Sequence, residues 1–130
     1  MRLLLDTCSF LWYVTADDQL PAPLRDQLRL PANDVWLSVG SYWEICVKHS
    51  LGRLSLPDVP ERYVPSQRQR HGFLSLPLQE EAVSHLQRLP NVHRDPFDRM
   101  LVCQAIEAGL TIVTPDPKVR AYPVKTLWPG

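Results

Sequence analysis

Four acidic residues stand where a predicted helix or strand starts or stops, and carboxylates are the side chains that hold hard divalent cations. Asp6 directly follows the apolar run Leu3–Leu5, and Asp116 follows a second apolar stretch. Glu44 and Asp98 fall in the first turns of two predicted helices. Each acid taken alone has an ordinary explanation as a capping or turn residue. Four acids at equivalent places favour a shared function.

Asp98 belongs to a predicted helix whose limits follow from its capping residues. Asp95 is a favoured N-cap residue, and Pro96 suits the first helical position because no N–H is needed there. Gly109 favours an end to the helix. The predicted helix covers 96–108, and its apolar face consists of Phe97, Leu101, Ala105 and Ala108. Asp98 is then the third helical residue, near the positive end of the helix dipole.

Glu44 lies near the start of a predicted helix over 40–51. Ser41-x-x-Glu44 is a capping-box pattern, and Glu44 can also pair with Lys48 one turn later. Capping the helix or pairing with Lys48 would give Glu44 a structural role rather than a role in catalysis or metal binding. The spacing of apolar residues along this helix predicts a buried stripe of Trp43, Val47 and Leu51.

Short apolar strands alternate with helices along the whole chain. The predicted strands cover 3–5, 35–38, 73–76, 110–114 and 124–127, and the other predicted helices cover 7–14, 21–30, 61–70 and 79–89. This alternation favours an α/β fold with a parallel sheet. We expect a single domain over 1–130, a three-layer α/β/α sandwich around a mainly parallel sheet of four to five strands. The carboxyl edge of such a sheet is where ligands bind.

Composition narrows the class of protein. The chain has no net charge and is 45% hydrophobic, and an acid at position 6 comes too early for a signal peptide. No apolar run approaches the ~18 residues of a membrane helix. We therefore expect a cytoplasmic protein. The three cysteines, Cys8, Cys46 and Cys103, form no C-x-x-C pair and are predicted to be buried, reduced thiols, with a zinc site as the alternative.

Convergence of the four acids would create strong mutual repulsion, which a divalent cation relieves. An all-oxygen ligand set with no His or Cys partner nearby favours Mg²⁺ or Mn²⁺ over zinc. Ions held in this way activate water and stabilise charge on phosphate groups. The acids therefore indicate hydrolysis of a phosphodiester.

The acids lie within four sequence blocks that occur in a recognisable order. The blocks are Leu4-Leu5-Asp6-Thr7, Ser41-Tyr42-Trp43-Glu44-Ile45 with Lys48 and Gly52-Arg53-Leu54, His93-Arg94-Asp95-Pro96-Phe97-Asp98-Arg99, and Thr114-Pro115-Asp116. They resemble the PIN-domain ribonucleases, and more narrowly the VapC-type toxins of bacterial toxin–antitoxin pairs. The resemblance spans nearly the whole chain.

The resemblance implies a metal-dependent endoribonuclease that a partner antitoxin neutralises, often as a homodimer. The family's acidic catalytic and metal site is matched here by Asp6, Glu44, Asp98 and Asp116. Thr114 matches a polar residue beside that site, and Asp95 matches a subfamily feature for which the N-cap role is favoured. Cys8 stands where many relatives have His.

The balanced charge is compatible with an RNA substrate. Setting aside the four acids leaves 10 acidic against 14 basic residues, so the remaining surface is mildly basic. We expect phosphate contacts from basic residues close in sequence to the acidic blocks, namely Lys48, Arg53, Arg94, Arg99, Lys118 and Arg120. Single-stranded or looped RNA suits a cleft better than a duplex.

Two other classes of function stay open. One is another Mg²⁺-dependent α/β phosphohydrolase with Asp6 as nucleophile. The haloacid type of phosphatase, however, has a second Asp two residues after the nucleophile, where this chain has Cys8. The other is a non-catalytic RNA- or protein-binding module on the same scaffold. A broken set of acids would mark such a module, whereas here the set is intact.

Overall fold

A five-stranded parallel sheet forms the centre of the molecule in the computed structural model, which describes residues 1–130. Its strands are β1 (Arg2–Leu5), β2 (Asp34–Ser38), β3 (Leu74–Leu76), β4 (Thr111–Val113) and β5 (Thr126–Leu127). They lie in the order β3-β2-β1-β4-β5, so β1 is central. Leu5 is paired with Leu37 on one side and Val113 on the other, which places the ends of three strands together.

Seven α-helices connect and cover the strands. They are α1 (Thr7–Val14), α2 (Ala22–Arg29), α3 (Val39–Ser50), α4 (Pro60–Arg70), α5 (Glu80–Val83), α6 (Pro96–Ala108) and α7 (Pro117–Arg120). Alternating residues of β1 separate two cores, because successive side chains of a strand point to opposite faces. Leu3 and Leu5 pack in a core with Phe10, whereas Leu4 packs with Val102 of α6. The predicted three-layer α/β/α sandwich is thus confirmed.

Helix α6 has the limits that its capping residues predict. The Asp95 carboxylate accepts hydrogen bonds from the backbone N–H groups of Phe97 and Asp98, at 2.8 and 3.1 Å. Gly109 ends the helix in the left-handed conformation, with φ 67°, which glycine adopts at no steric cost. Asp98 consequently lies in the first turn and presents a charged side chain close to the carboxyl edge of the sheet.

The predicted burial of α3 was wrong. Trp43 on α3 and Leu51, which directly follows the helix, are 58% and 59% exposed and Val47 is half-buried, whereas Ser41 and Glu44 are buried. The helix also begins earlier than predicted, because the Ser38 hydroxyl caps it by accepting from the Gly40 N–H at 2.9 Å. The capping-box role considered for Glu44 was therefore wrong as well, and α3 buries the polar Ser41 and Glu44 alongside the apolar Ile45.

Two smaller expectations also need correction. The predicted helix over 79–89 is two short pieces, α5 and a 3-10 turn at Leu86–Arg88. The three cysteines are free, but only Cys103 is fully buried, and Cys8 and Cys46 are half-buried.

Each helix in the structure is too short or too polar to cross a membrane.

Candidate active site at the carboxyl edge of the sheet

One open cavity at the carboxyl edge of the sheet receives all four acids that the sequence singles out. The cavity has a volume of about 360 Å³, and its lining includes Asp6, Glu44, Asp98 and Asp116. The acids come from four separate segments: the β1–α1 junction, α3, α6 and the β4–α7 loop. Parallel strands bring these segments together because their carboxyl ends share one edge.

Asp6 is the most deeply placed of the four side chains. It is 5% exposed, and its Oδ1 caps α1 by accepting from the Ser9 N–H at 2.9 Å. The Cys8 thiol lies 3.4 and 3.5 Å from the two carboxylate oxygens. Burial raises the pKa of Asp6 above its ordinary value, although hydrogen bonds from Ser9 and Thr114 oppose the rise. A buried carboxylate with a raised pKa gains from a nearby cation.

Glu44 is held at both carboxylate oxygens. Its Oε1 accepts from the Thr7 hydroxyl at 2.6 Å, and its Oε2 forms a 2.6 Å ion pair with Lys48. The predicted pairing with Lys48 is confirmed, and the hydrogen bond from that pair raises the pKa of the Lys48 ammonium. Thr7 and Lys48 thus fix Glu44, while Lys48 brings one positive charge to the rim of the cavity.

Asp98, like Asp6, has a raised pKa. Its pKa is raised to about 7, first by burial and then by the negative charges of Asp95 and Glu44, while His93 acts in the opposite direction. Mutual repulsion of converging carboxylates is what the sequence predicts for an acidic cluster, and a cation placed between them would relieve it.

Asp116 and Thr114 are joined through the backbone. The Asp116 Oδ1 caps α7 by accepting from the Lys118 N–H at 2.9 Å, and the Asp116 N–H donates to the Thr114 hydroxyl at 3.1 Å. Thr114 is fully buried. The polar residue beside the acids therefore shapes the loop that presents Asp116.

His93 is the site residue that sequence reasoning missed. Its Nε2 lies 3.0 Å from Asp98 Oδ2 and 3.0 Å from Asp116 Oδ2. The expectation that the acids have no nearby His or Cys partner was thus wrong on two counts, because the Cys8 thiol also touches Asp6. The available signal was the position of His93 five residues before Asp98, but its partner Asp116 is 23 residues away.

The six basic residues expected to contact RNA lie in different surroundings. Lys48 and Arg53 line the acidic cavity, and Lys118 and Arg120 are exposed on α7. Arg94 is exposed and borders a neighbouring apolar cavity. Arg99 instead donates to the Pro90 and His93 carbonyls and the Tyr122 hydroxyl, so its guanidinium ties the preceding loop to α6.

The donor set fits a hard divalent cation. The cavity offers carboxylate oxygens from four residues, all at least partly buried, and carboxylates are the ligands that Mg²⁺ and Mn²⁺ prefer. The cysteines supply no zinc-binding set, since Cys8 is the only one of the three that lines the cavity. The acids could therefore hold Mg²⁺ or Mn²⁺.

The PIN domain family model matches residues 3–125, and the chain belongs to this family. No curated protein sequence matches the chain significantly.

Solved structures share the fold at low sequence identity. VapBC2 from Rickettsia felis, bound to a promoter DNA fragment, is 14% identical with a TM-score of 0.76, covering 99% of this chain and 100% of that one. VapBC-1 from nontypeable Haemophilus influenzae is 16% identical with a TM-score of 0.63, covering 98% and 97%. VapBC-5 from Mycobacterium tuberculosis, a member of the VapBC family of toxin–antitoxin systems, is 19% identical with a TM-score of 0.56, covering 92% and 89%.

Proposed function

We propose that the protein is a Mg²⁺- or Mn²⁺-dependent endoribonuclease, the toxin of a VapC-type toxin–antitoxin pair. The observation that carries the proposal is the meeting of four carboxylates from four segments in one cavity of about 360 Å³. Membership of the PIN domain family supports it, since PIN domains are generally nucleases.

The metal ligands in this proposal are Asp6, Glu44, Asp98 and Asp116. A bound divalent cation would supply the positive charge that activates water and stabilises a scissile phosphate. Thr7 and Lys48 keep Glu44 in place, and Ser9 keeps Asp6 in place, so these acids are held before any substrate arrives. Such fixed charges need little rearrangement during the reaction.

Lys48 and Arg53 are the proposed contacts to the RNA backbone beside the scissile bond, because both line the cavity. Lys118 and Arg120 are exposed on α7, directly after Asp116, and extend the basic surface. Contacts of this kind position the strand without reading its sequence. Arg99 is omitted from this set because its guanidinium is bound to the protein's own backbone.

The partner in this proposal is a cognate antitoxin protein, with a homodimer as the form of the toxin. Support for the antitoxin comes from the VapBC structures that share the fold. Expressed alone, the protein should slow bacterial growth, whereas the Asp98→Asn variant should not. Equal growth inhibition by the two forms would favour the non-catalytic binding module.

A melting experiment tests the metal site without a substrate. Millimolar Mn²⁺ should raise the melting temperature, because an ion that binds only the folded cluster stabilises the folded state. Asp6→Asn should blunt that response while keeping the α1 cap, since Asn is also a favoured N-cap residue. The matched control is Asp26→Asn, an exposed acid on α2. A wild-type melting curve indifferent to Mn²⁺ would contradict the proposal.

A further inference from the structure

His93 is a mostly buried imidazole, 14% exposed, that lies between two of the proposed metal ligands. Its Nε2 is hydrogen-bonded to Asp116 Oδ2 at 3.0 Å and lies 3.0 Å from Asp98 Oδ2. One ring nitrogen thus faces carboxylates from two segments, α6 and the loop before α7. These contacts permit two opposite roles, either a further metal ligand or a donor that positions the two acids.

The other ring nitrogen distinguishes these roles. The backbone N–H of Asp95 donates to His93 Nδ1 at 3.2 Å. A ring nitrogen accepts a hydrogen bond through its lone pair, so His93 Nδ1 carries no proton. A neutral ring must then hold its only proton on Nε2, the nitrogen that faces Asp98 and Asp116. His93 is therefore a donor to Asp116 Oδ2, and its Nε2 proton lies beside Asp98 Oδ2.

The same tautomer argues against ligation by His93. A histidine that binds a metal through Nε2 usually donates its Nδ1–H to an acceptor, which keeps the Nε2 lone pair free. Here the partner of Nδ1 is a donor, so ligation through Nε2 would leave the ring without any proton. The ligand atoms of His93, Asp98 and Asp116 lie within 4.8 Å of one another, close enough for a metal trio, yet the hydrogen bonds describe a different arrangement.

We infer that His93 is a positioning residue: its Nε2–H holds Asp98 and Asp116 beside each other, and the imidazole does not bind the metal. This inference rests on the proposed function, because it concerns the same acidic site. Asp116 Oδ1 is occupied by the α7 cap, so the Asp98 and Asp116 oxygens have defined orientations once Oδ2 of each meets the imidazole. Asp95 acts through its backbone, which fixes the tautomer.

Two substitutions separate the roles by Mn²⁺ affinity, measured by titration calorimetry on the whole protein. His93→Gln keeps an N–H donor at a similar reach, and His93→Met keeps the bulk but has no donor. We expect His93→Met to weaken Mn²⁺ binding about 10- to 100-fold, the usual loss when an outer partner of a metal ligand is removed. His93→Gln should stay within about threefold of the wild type. Equal losses in both variants, or none in His93→Met, would overturn the inference.

Nitrogen-15 NMR of the wild-type imidazole provides a measurement that needs no variant to fold. The Nε2–H tautomer of His93 should persist when the protein is saturated with diamagnetic Mg²⁺. Conversion to an Nδ1–H tautomer with a metal-shifted Nε2 would show that His93 is a ligand. Asp6→Asn separates the two proposals: if the wild type binds no Mn²⁺, or Asp6→Asn binds it equally well, the proposed function fails before His93 is tested.

Discussion

Two cavities of nearly equal size lie on either side of the same pair of helices, and they have opposite chemistry. The acidic cavity measures about 360 Å³ and includes Glu44 of α3 and Asp98 of α6. The apolar cavity measures about 350 Å³ and includes the preceding residue of each helix, Trp43 and Phe97. The rings of these two residues meet edge to face, with centroids 4.8 Å apart.

The comparison shows how two neighbouring residues can serve two surfaces. A helix turns by about 100° per residue, so adjacent side chains point in clearly different directions. The carboxylates of α3 and α6 face the sheet edge, while the aromatic rings hold the same two helices together at the outside. Substitutions at adjacent positions of α3 or α6 can therefore change either the acidic cavity or the packing of the two helices, without changing the other.

The largest expected effect is on RNA cleavage, when a substitution changes the acidic cavity and leaves the apolar cavity unchanged. Asp98→Asn should lower RNA cleavage by at least a hundredfold, because metal-based charge stabilisation is worth several kcal/mol. Trp43→Ala, on the apolar side, should leave cleavage within a few fold. Gel assays with a fluorescent single-stranded RNA, with Mn²⁺ and with chelator, measure both. Full RNA cleavage by the Asp98→Asn variant would show that the acids take no part in the reaction.

A second effect concerns stability without metal. The folded-state pKa of Asp98, about 7, exceeds the ordinary 3.8, so ionisation opposes folding. Stability due to this group is fully present below pH 3.8 and is lost as pH rises to about 7. Asp98→Asn should therefore stabilise the metal-free protein at pH 8, by roughly 2 kcal/mol after a discount for partial exposure.

Urea unfolding of both forms in chelator, at pH 4 and pH 8, checks the sign. The gain from Asp98→Asn should be present at pH 8 and nearly absent at pH 4. A variant that is less stable than the wild type at pH 8 would show that Asp98 acts as an ordinary helix-start acid, worth about 0.3–1 kcal/mol.

The smallest effect should come from the aromatic pair. Trp43 is 58% exposed, so Trp43→Ala should cost about 1 kcal/mol, mainly the edge-to-face contact with Phe97. The rise in melting temperature caused by Mn²⁺ should be unchanged, because Trp43 does not line the acidic cavity. Thermal melts with and without Mn²⁺ measure both quantities. A lost Mn²⁺ response would show that the two cavities are not independent.

Local chemistry made much of the fold predictable. Asp95, Pro96 and Gly109 act within one helix, so the ends of α6 could be read from adjacent residues. The apolar run before Asp6 identified a buried strand for the same reason. Four acids at element ends then indicated which residues would share one edge of a parallel sheet.

Tertiary contacts decided what the sequence could not reveal. Periodicity showed that α3 has an apolar stripe, but it did not show that Trp43 would remain largely exposed. Ser38 lies at the end of β2 yet caps α3, which moved the helix start and removed the capping role of Glu44. His93 became visible as a site residue only when the loop carrying Asp116 was placed beside it.

The central place of β1 has a consequence for synthesis and folding. β1 is made well before β4, and the pairing of these strands joins Leu3 to Thr111, more than a hundred residues later. Such distant pairing slows folding, because a long loop must close before the contact forms. Asp6 cannot meet Asp116 until the segment that carries Asp116 has left the ribosome. The nascent chain therefore stays without a complete acidic cavity until Asp116 has been added and β4 has paired with β1.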